Sequence, residues 1–271
     1  MSDTFDDDLE AEAQRLAENA RRPIRRVRPR LARALADGED MEVQTPHGPV
    51  MAWRLGYGPA TLLVHGWNDD NALWGPVIDA CAQLGRAVVA LDLPGHGWSQ
   101  AEAFSLEAAG EAVVAVANAL GPIDSVVAHS FGCPTTIYAL GHGLDAPRAV
   151  LIGSPVPRTK PFDRYNADWE KEMVQDGEDP EVVARAGEIL REQLANPEAA
   201  FGAINDAIKQ MTAKALIMHS LDDDAAPYEN AQAMADLWPG SELMLTDELG
   251  HRLIAQDPAM VQRIIDFVET W

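Results

Sequence analysis

Six short runs of aliphatic residues set the strongest limit on how this chain can fold: PATLLVHG, RAVVALDLPGHG, SVVAHS, RAVLIGSP, KALIMHS and SELMLTD. Each is apolar at consecutive positions and stops at a glycine or a polar residue. In PATLLVHG, RAVVALDLPGHG and SVVAHS the run suits a buried strand, as in the interior of a parallel sheet. Helical segments separate the runs. In NALWGPVIDACAQLG, Leu73, Val77, Cys81 and Leu84 recur at helical spacing and Gly85 is a stop. In SLEAAGEAVVAVANALG, Ser105 can cap a helix and Gly121 can end it. A further helix opens at Ser130 and runs to about Leu140, and two more cover about Tyr228–Leu237 and Pro258–Trp271. Ahead of them, MEVQTPHGPVMAWRLGYG offers two strands around a Pro-His-Gly-Pro turn. The expectation is an α/β fold: eight strands, mostly parallel after an antiparallel opening, with helices on both faces.

The alternation breaks once. Residues 155–212 contain no convincing strand, while DPEVVARAGEILREQL and PEAAFGAINDAIKQM each place apolar residues on one helical face. The first face holds Val182, Ala186, Ile189 and Leu190; the second holds Phe201, Ile204, Ile208 and Met211. A helical insertion after a strand's C-terminal end is expected to form a small cap over the crevice where such sheets bind ligands. This divides the chain into a charged N-terminal extension (1–40), a core domain (41–154 and 213–271) and a cap (155–212).

Charge and composition exclude several partners. The net charge is −22, and RRPIRRVRPRLAR alone holds seven arginines, so the other 258 residues sum to −22 − 7 = −29. A body that acidic repels nucleic acid and anionic membrane. The arginine-rich stretch, Arg21–Arg33, reads as a helix and linker lying against the protein's own acidic body rather than as a docking arm. Pro23 and Pro29 break any long helix there. No apolar run approaches the ~20 residues of a membrane span, and MSDTFDDDLE lacks the layout of a secretory signal. Cys81 and Cys133 make neither a disulfide framework nor a metal-ligand pattern, so a reducing cytoplasm is expected. Oligomeric state is not legible.

The chemistry concentrates at VVAHSFGCP. A serine hydroxyl needs a base, a group to orient that base and donors for the oxyanion it generates. Ser130 ends a buried run and opens a helix, the strand–turn–helix setting of a nucleophile elbow, with Gly132 and the small Ala128 two residues to either side. His129 is adjacent, but neighbouring side chains on an extended segment point to opposite sides, so its role is structural. His65 and His96 lie at strand-end turns and are expected to fix loops. His251 follows the eighth strand in a glycine-preceded loop on the same sheet edge as Ser130, where a base is required. The orienting acid belongs in HSLDDDAAP, where Asp222, Asp223 and Asp224 compete.

Taken together, HGW at Trp67, LDLPGHGWS, AHSFG, the HSLDDDAAP turn and GH at His251 resemble the α/β-hydrolase superfamily over about residues 41–271. The resemblance implies the chain order Ser, Asp, His. Aligned on the family's H-G-x-x-D-x-x-x-P turn, it selects Asp223, with Asp222 as runner-up. It also implies that the backbone N–H groups of Trp67 and Phe131 form the oxyanion hole. Ala128 and Ser220 stand where the family usually has glycine. The implied activity is serine hydrolysis of a small or medium acyl compound, most simply a carboxylic ester, with no metal and no cofactor. The same residues suit thioester or C–C bond hydrolysis and perhydrolysis, and a non-catalytic binding protein on this fold is the rival of another class. Trp98 and Trp169 are candidates for the substrate pocket.

Overall fold

The computed structural model describes residues 3–20, 22–25, 38–101, 105–157, 163–194 and 197–269. Most of the arginine-rich stretch lies outside them, with Arg22 to Arg25 inside. The chain divides into two compact units: Met1–Pro23 with Lys160–Ala203, and Ile24–Thr159 with Ile204–Trp271.

The larger unit is built on one eight-stranded sheet: β1 (Glu39–Val43), β2 (Val50–Leu55), β3 (Ala60–Val64), β4 (Ala87–Leu91), β5 (Ile123–His129), β6 (Arg148–Ile152), β7 (Lys214–Ser220) and β8 (Glu242–Thr246). Their spatial order is β1-β2-β4-β3-β5-β6-β7-β8. β1, β2 and β4 pair antiparallel, and every pairing from β4 through β8 is parallel. The expected eight strands and antiparallel opening are therefore present. β3 and β4 are buried along their whole length, as their unbroken apolar sequences require.

The helices on this sheet are α2 (Gly75–Gln83), α3 (Leu106–Leu120), α4 (Gly132–Gly141), α8 (Glu229–Leu237), the one-turn α9 (Gly250–Leu253) and α10 (Pro258–Glu269). The Ser105 side chain accepts from the Ala108 N–H and Gly121 closes α3, both as the sequence indicates. Asp257 caps α10, its Oδ1 accepting from the N–H groups of Ala259 (2.9 Å) and Met260 (3.1 Å), with Pro258 at the first helical position. α2 and α10 bury Val77, Ile78, Ile264 and Phe267 against Leu63, Val127, Val150 and Leu216 on one sheet face. Trp238, 1% exposed, donates its indole N–H to the Ala213 carbonyl at 2.9 Å, so its burial leaves no orphaned donor.

The smaller unit contains α1 (Asp3–Ala20), α5 (Asp163–Gln175), α6 (Pro180–Leu194) and part of α7 (Pro197–Lys209). Leu9, Ala13, Leu16, Ala17 and Ala20 share one face of α1 and pack against Val182, Ala186, Ile189 and Leu190 of α6, with Trp169 alongside. Across that contact Arg185 donates to Glu10 through Nε (2.7 Å) and Nη2 (3.1 Å), a two-pronged geometry specific to arginine. The sequence alone does not announce α5; DRYNADWEKEMVQ is too charged to show an apolar face. No described helix is long and apolar enough to cross a membrane.

Two glycines separate tight packing from open space. A Cβ on Gly132 would lie 2.4 Å from the Val64 carbonyl oxygen and 2.7 Å from that of His65, whereas one on Gly141 meets nothing within 4 Å. Gly132→Ala is expected to cost about 1–3 kcal/mol through overpacking. Gly141→Ala, at the last residue of α4, is expected to be neutral or to stabilise by up to about 1 kcal/mol. Thermal denaturation of both variants checks this; a Gly132→Ala protein as stable as the parent contradicts the close packing of α4 on the end of β3.

Candidate active site

Ser130 occupies the turn between β5 and α4 at φ 51°, a left-handed conformation that costs a non-glycine residue about 1–3 kcal/mol. Its N–H donates to the Ile152 carbonyl at 2.8 Å, and its own carbonyl accepts from the Cys133 N–H at 2.9 Å. Close approach of neighbouring segments enforces the turn: a Cβ on Gly66 would sit 2.8 Å from the Ser130 Cβ. Helix α4 begins at Gly132, two residues later than the sequence indicates, and Phe131 is its N-cap. Only three non-glycine residues among those described have positive φ: Asn68, Ser130 and Glu248. They lie in the loops after β3, β5 and β8, the three loops expected to supply the oxyanion donors, the nucleophile and the base.

Asp223 and His251 meet. His251 Nδ1 donates to Asp223 Oδ2 at 2.8 Å, with the carboxylate wholly buried and the imidazole 19% exposed. A carboxylate only accepts, so the proton of this bond resides on Nδ1 and the Nε2 lone pair is left to take another. Asp223 Oδ2 also lies 3.1 Å from His219 Nε2, which shares its proton between this oxygen and the Ala226 carbonyl (2.9 Å), and Oδ1 accepts from the Ala225 (2.9 Å) and Ala226 (2.8 Å) N–H groups. Burial by itself raises the carboxyl pKa, but the hydrogen bonds from His219 and His251 outweigh it and hold Asp223 well below the usual carboxylate range. Asp222, the runner-up, points elsewhere: its Oδ1 accepts from the Ser220 hydroxyl and from the Gly250 N–H (3.0 Å).

The end of β6 brings the nucleophile's turn and the His–Asp pair together. Ile152 accepts from the Ser130 N–H. The next residue, Gly153, has φ 59°, and a Cβ there would lie 3.3 Å from His251 Nδ1 and 3.5 Å from Asp223 Oδ2. His251 sits in the short helix α9 rather than in an open loop. His129, set aside as the base, donates from Nε2 to the His251 carbonyl at 2.7 Å. Burial drives its pKa down to about 3, so it stays neutral and acts as a fixed strut.

The loop after β3 borders the elbow. Trp67 and Phe131 pack edge to face with ring centroids 6.0 Å apart, and Trp67 also meets the His96 ring at 5.9 Å. His65 and His96 fix loops as expected. His65 donates from Nδ1 to the Gly66 carbonyl (2.8 Å) and accepts the Leu93 N–H at Nε2 (3.0 Å). His96 donates to the Pro94 carbonyl (2.9 Å) and accepts the Asn68 N–H (3.2 Å). Of the two tryptophans expected near the substrate, Trp98 is 53% exposed and donates its backbone N–H to Asp92 Oδ2 at 2.8 Å. Trp169 packs in the α1–α6 cluster. Among the described residues no group of three or more His, Cys, Asp or Glu is placed to hold a metal ion.

Sequence reasoning missed the contact of His219 with Asp223, the place of Gly153 and the bond between Ser220 and Asp222. His219 carried a readable signal, four residues before Asp223 on a strand-end turn. Gly153 carried only its place at the end of an apolar run. Its contact with His251 depends on a residue almost a hundred positions away.

The alpha/beta hydrolase family matches residues 61–263. Among curated proteins, an 83-residue stretch is 37% identical to bifunctional epoxide hydrolase 2 of Sus scrofa, covering 29% of this chain and 15% of that protein. A 101-residue stretch is 35% identical to the biotin biosynthesis bifunctional protein BioHC of Cellvibrio japonicus, covering 37% of this chain and 17% of that protein. The matched stretches thus span less than a fifth of either relative's length. Solved structures agree over far more of the chain. An esterase of Pyrococcus furiosus superposes with a TM-score of 0.70 at 17% identity, covering 92% of this chain and 97% of its own. An esterase from Exiguobacterium antarcticum reaches 0.68 at 19% identity, covering 86% and 100%. A bromoperoxidase from Bacillus anthracis reaches 0.64 at 16% identity, covering 86% and 100%. At these identities the likeness is one of fold. With its family match running from β3 into α10, this chain belongs to the alpha/beta hydrolase family.

Proposed function

We propose that the protein is a serine hydrolase of small or medium acyl compounds, most simply carboxylic esters. One observation carries the reading: the 2.8 Å bond from His251 to a fully buried Asp223, on the sheet edge where Ser130 is held at φ 51°. In this mechanism His251 Nε2 takes the Ser130 proton as the hydroxyl oxygen bonds to the substrate carbonyl carbon. The carbonyl π electrons move onto its oxygen, where the Trp67 and Phe131 amides stabilise the negative charge. Asp223 keeps the Nδ1–H tautomer and supports the imidazolium. Collapse expels the leaving alcohol, which takes the proton from His251 and leaves an acyl group on Ser130. Water, deprotonated by the same imidazole, repeats the addition and releases the acid.

Ser130→Ala is expected to abolish ester turnover, and a fluorophosphonate is expected to label the parent at Ser130 alone. Mass spectrometry of the labelled peptide checks this; label elsewhere, or none, favours the binding-protein alternative or another nucleophile. A panel of esters and thioesters of graded acyl length then distinguishes ester from thioester chemistry.

Asp223 and Asp222 separate by magnitude. Asp223→Asn is expected to lower kcat by about 10⁴-fold by disturbing the tautomer. Asp222→Asn, which loosens only the bonds from the Ser220 hydroxyl and the Gly250 N–H, is expected to cost about tenfold or less, on the scale of a lost hydrogen bond. Steady-state kinetics of both variants check the order, and a more damaging Asp222→Asn contradicts the assignment.

The pH profile follows from the same site. Because its pKa is depressed, Asp223 stays ionised as pH falls through the ordinary carboxylate range. Asp223 is therefore expected to add no proton to the acid limb of kcat/KM at or above about pH 4. A limb of slope two above that pH contradicts a carboxylate held ionised by four donors.

A further inference from the structure

Arg252 follows His251 directly, and its guanidinium grips a residue of the loop that carries Trp67. Arg252 Nη1 lies 2.9 Å from Asp69 Oδ2, and Nη2 donates to Asp69 Oδ1 at 3.2 Å. The Asp69 side chain is 3% exposed and that of Arg252 is 45% exposed. Asp69 also closes the turn that holds Trp67 and Asn68, because its own N–H donates to the Gly66 carbonyl at 3.3 Å. Its Oδ1 further accepts from the Asp70 N–H at 3.1 Å, which locks the carboxylate to its own loop. The pair therefore joins two segments 183 residues apart in sequence, one bearing His251 and the other bearing Trp67.

A planar guanidinium that meets both oxygens of a carboxylate through both terminal nitrogens fixes distance and orientation together, which a single contact does not. A half-exposed arginine on a protein of net charge −22 has many acidic surfaces to meet, yet this one is engaged by a carboxylate almost fully out of water. Resting on the serine hydrolase reading above, we propose that Asp69 and Arg252 are positioning residues. Their bidentate pair holds the base-bearing segment at α9 in register with the loop after β3, so that His251 and the Trp67 amide are presented to Ser130 in one frame. Neither residue touches the reacting atoms.

The test is the second-order rate of Ser130 labelling by a fluorophosphonate, per folded molecule, which needs no knowledge of the substrate. Parent, Arg252→Gln, Arg252→Lys, Asp69→Asn and the double variant Asp69→Asn/Arg252→Gln are compared, each with its thermal midpoint. Arg252→Gln and Asp69→Asn are expected to slow labelling about 10- to 100-fold, the scale of a misplaced catalytic group. Arg252→Lys is expected to recover part of the loss, keeping charge without the fork. The double variant is expected to be no slower than the slower single one, since both remove the same contact. Arg252→Gln leaves a buried carboxylate without this cation; if it does not fold, Asp69→Asn, which leaves a half-exposed guanidinium to solvate, carries the test. Labelling at the parent rate in the single variants, losses that multiply in the double variant, or full recovery with lysine overturns the proposal. A parent that takes no label at Ser130 overturns the hydrolase reading and this inference with it; a labelled parent with unslowed variants overturns this inference alone.

Discussion

A carboxylate with no solvent exposure is tolerable only when its charge is fully met, and Asp223 is such a carboxylate. Its four donors come from three places: His219 at the end of β7, the Ala225 and Ala226 amides of the same turn, and His251 from beyond β8. Satisfying that one charge therefore draws the ends of two strands and the following short helix into a single arrangement. The imidazole tautomer is settled by the same requirement. Gly153 belongs to it as well, since its φ of 59° favours glycine and a Cβ there would crowd His251 at 3.3 Å.

Around that centre, immediate neighbours of the site residues hold one another. His129, beside Ser130, donates to the His251 carbonyl. Asp222, beside Asp223, accepts from the Gly250 N–H. Ser220 accepts from the Leu249 N–H at 3.3 Å, so the hydroxyl standing where the resembling family has glycine fastens the segment leading to His251. Backbone strain is concentrated in the same loops, at Asn68, Ser130 and Glu248. Strained residues persist where the surroundings over-determine them, and these cross-ties are what over-determines them here.

Much of this was legible in the chain. Continuous apolar runs predict buried parallel strands because neither face of such a strand can be left wet, and β3 and β4 are buried throughout. Ser105, Gly121 and the strand-end glycines work locally, so they read correctly from local sequence. Ser130 and His251 stand out as candidates by position, after the fifth and eighth strands. Asp223 needed more. Three adjacent aspartates are equivalent as letters and differ only in what surrounds them: four donors for Asp223, a serine hydroxyl and the Gly250 amide for Asp222. The Asp69–Arg252 contact, the role of Gly153 and the docking of α1 on α6 were out of reach for the same reason. Each depends on partners far apart in sequence, which no periodicity announces.

In the proposed mechanism Ser130, the His251–Asp223 pair and the amides of Trp67 and Phe131 serve one reacting centre. A crystal structure of the protein inactivated by a phosphonate ester tests that convergence most directly. Phosphorus is expected on Ser130 Oγ, with its phosphoryl oxygen about 2.7–3.1 Å from both amide nitrogens. His251 Nε2 is expected to face the modified oxygen, with the bond to Asp223 intact. Phosphorus on another residue, or a phosphoryl oxygen turned away from Trp67 and Phe131, would contradict it.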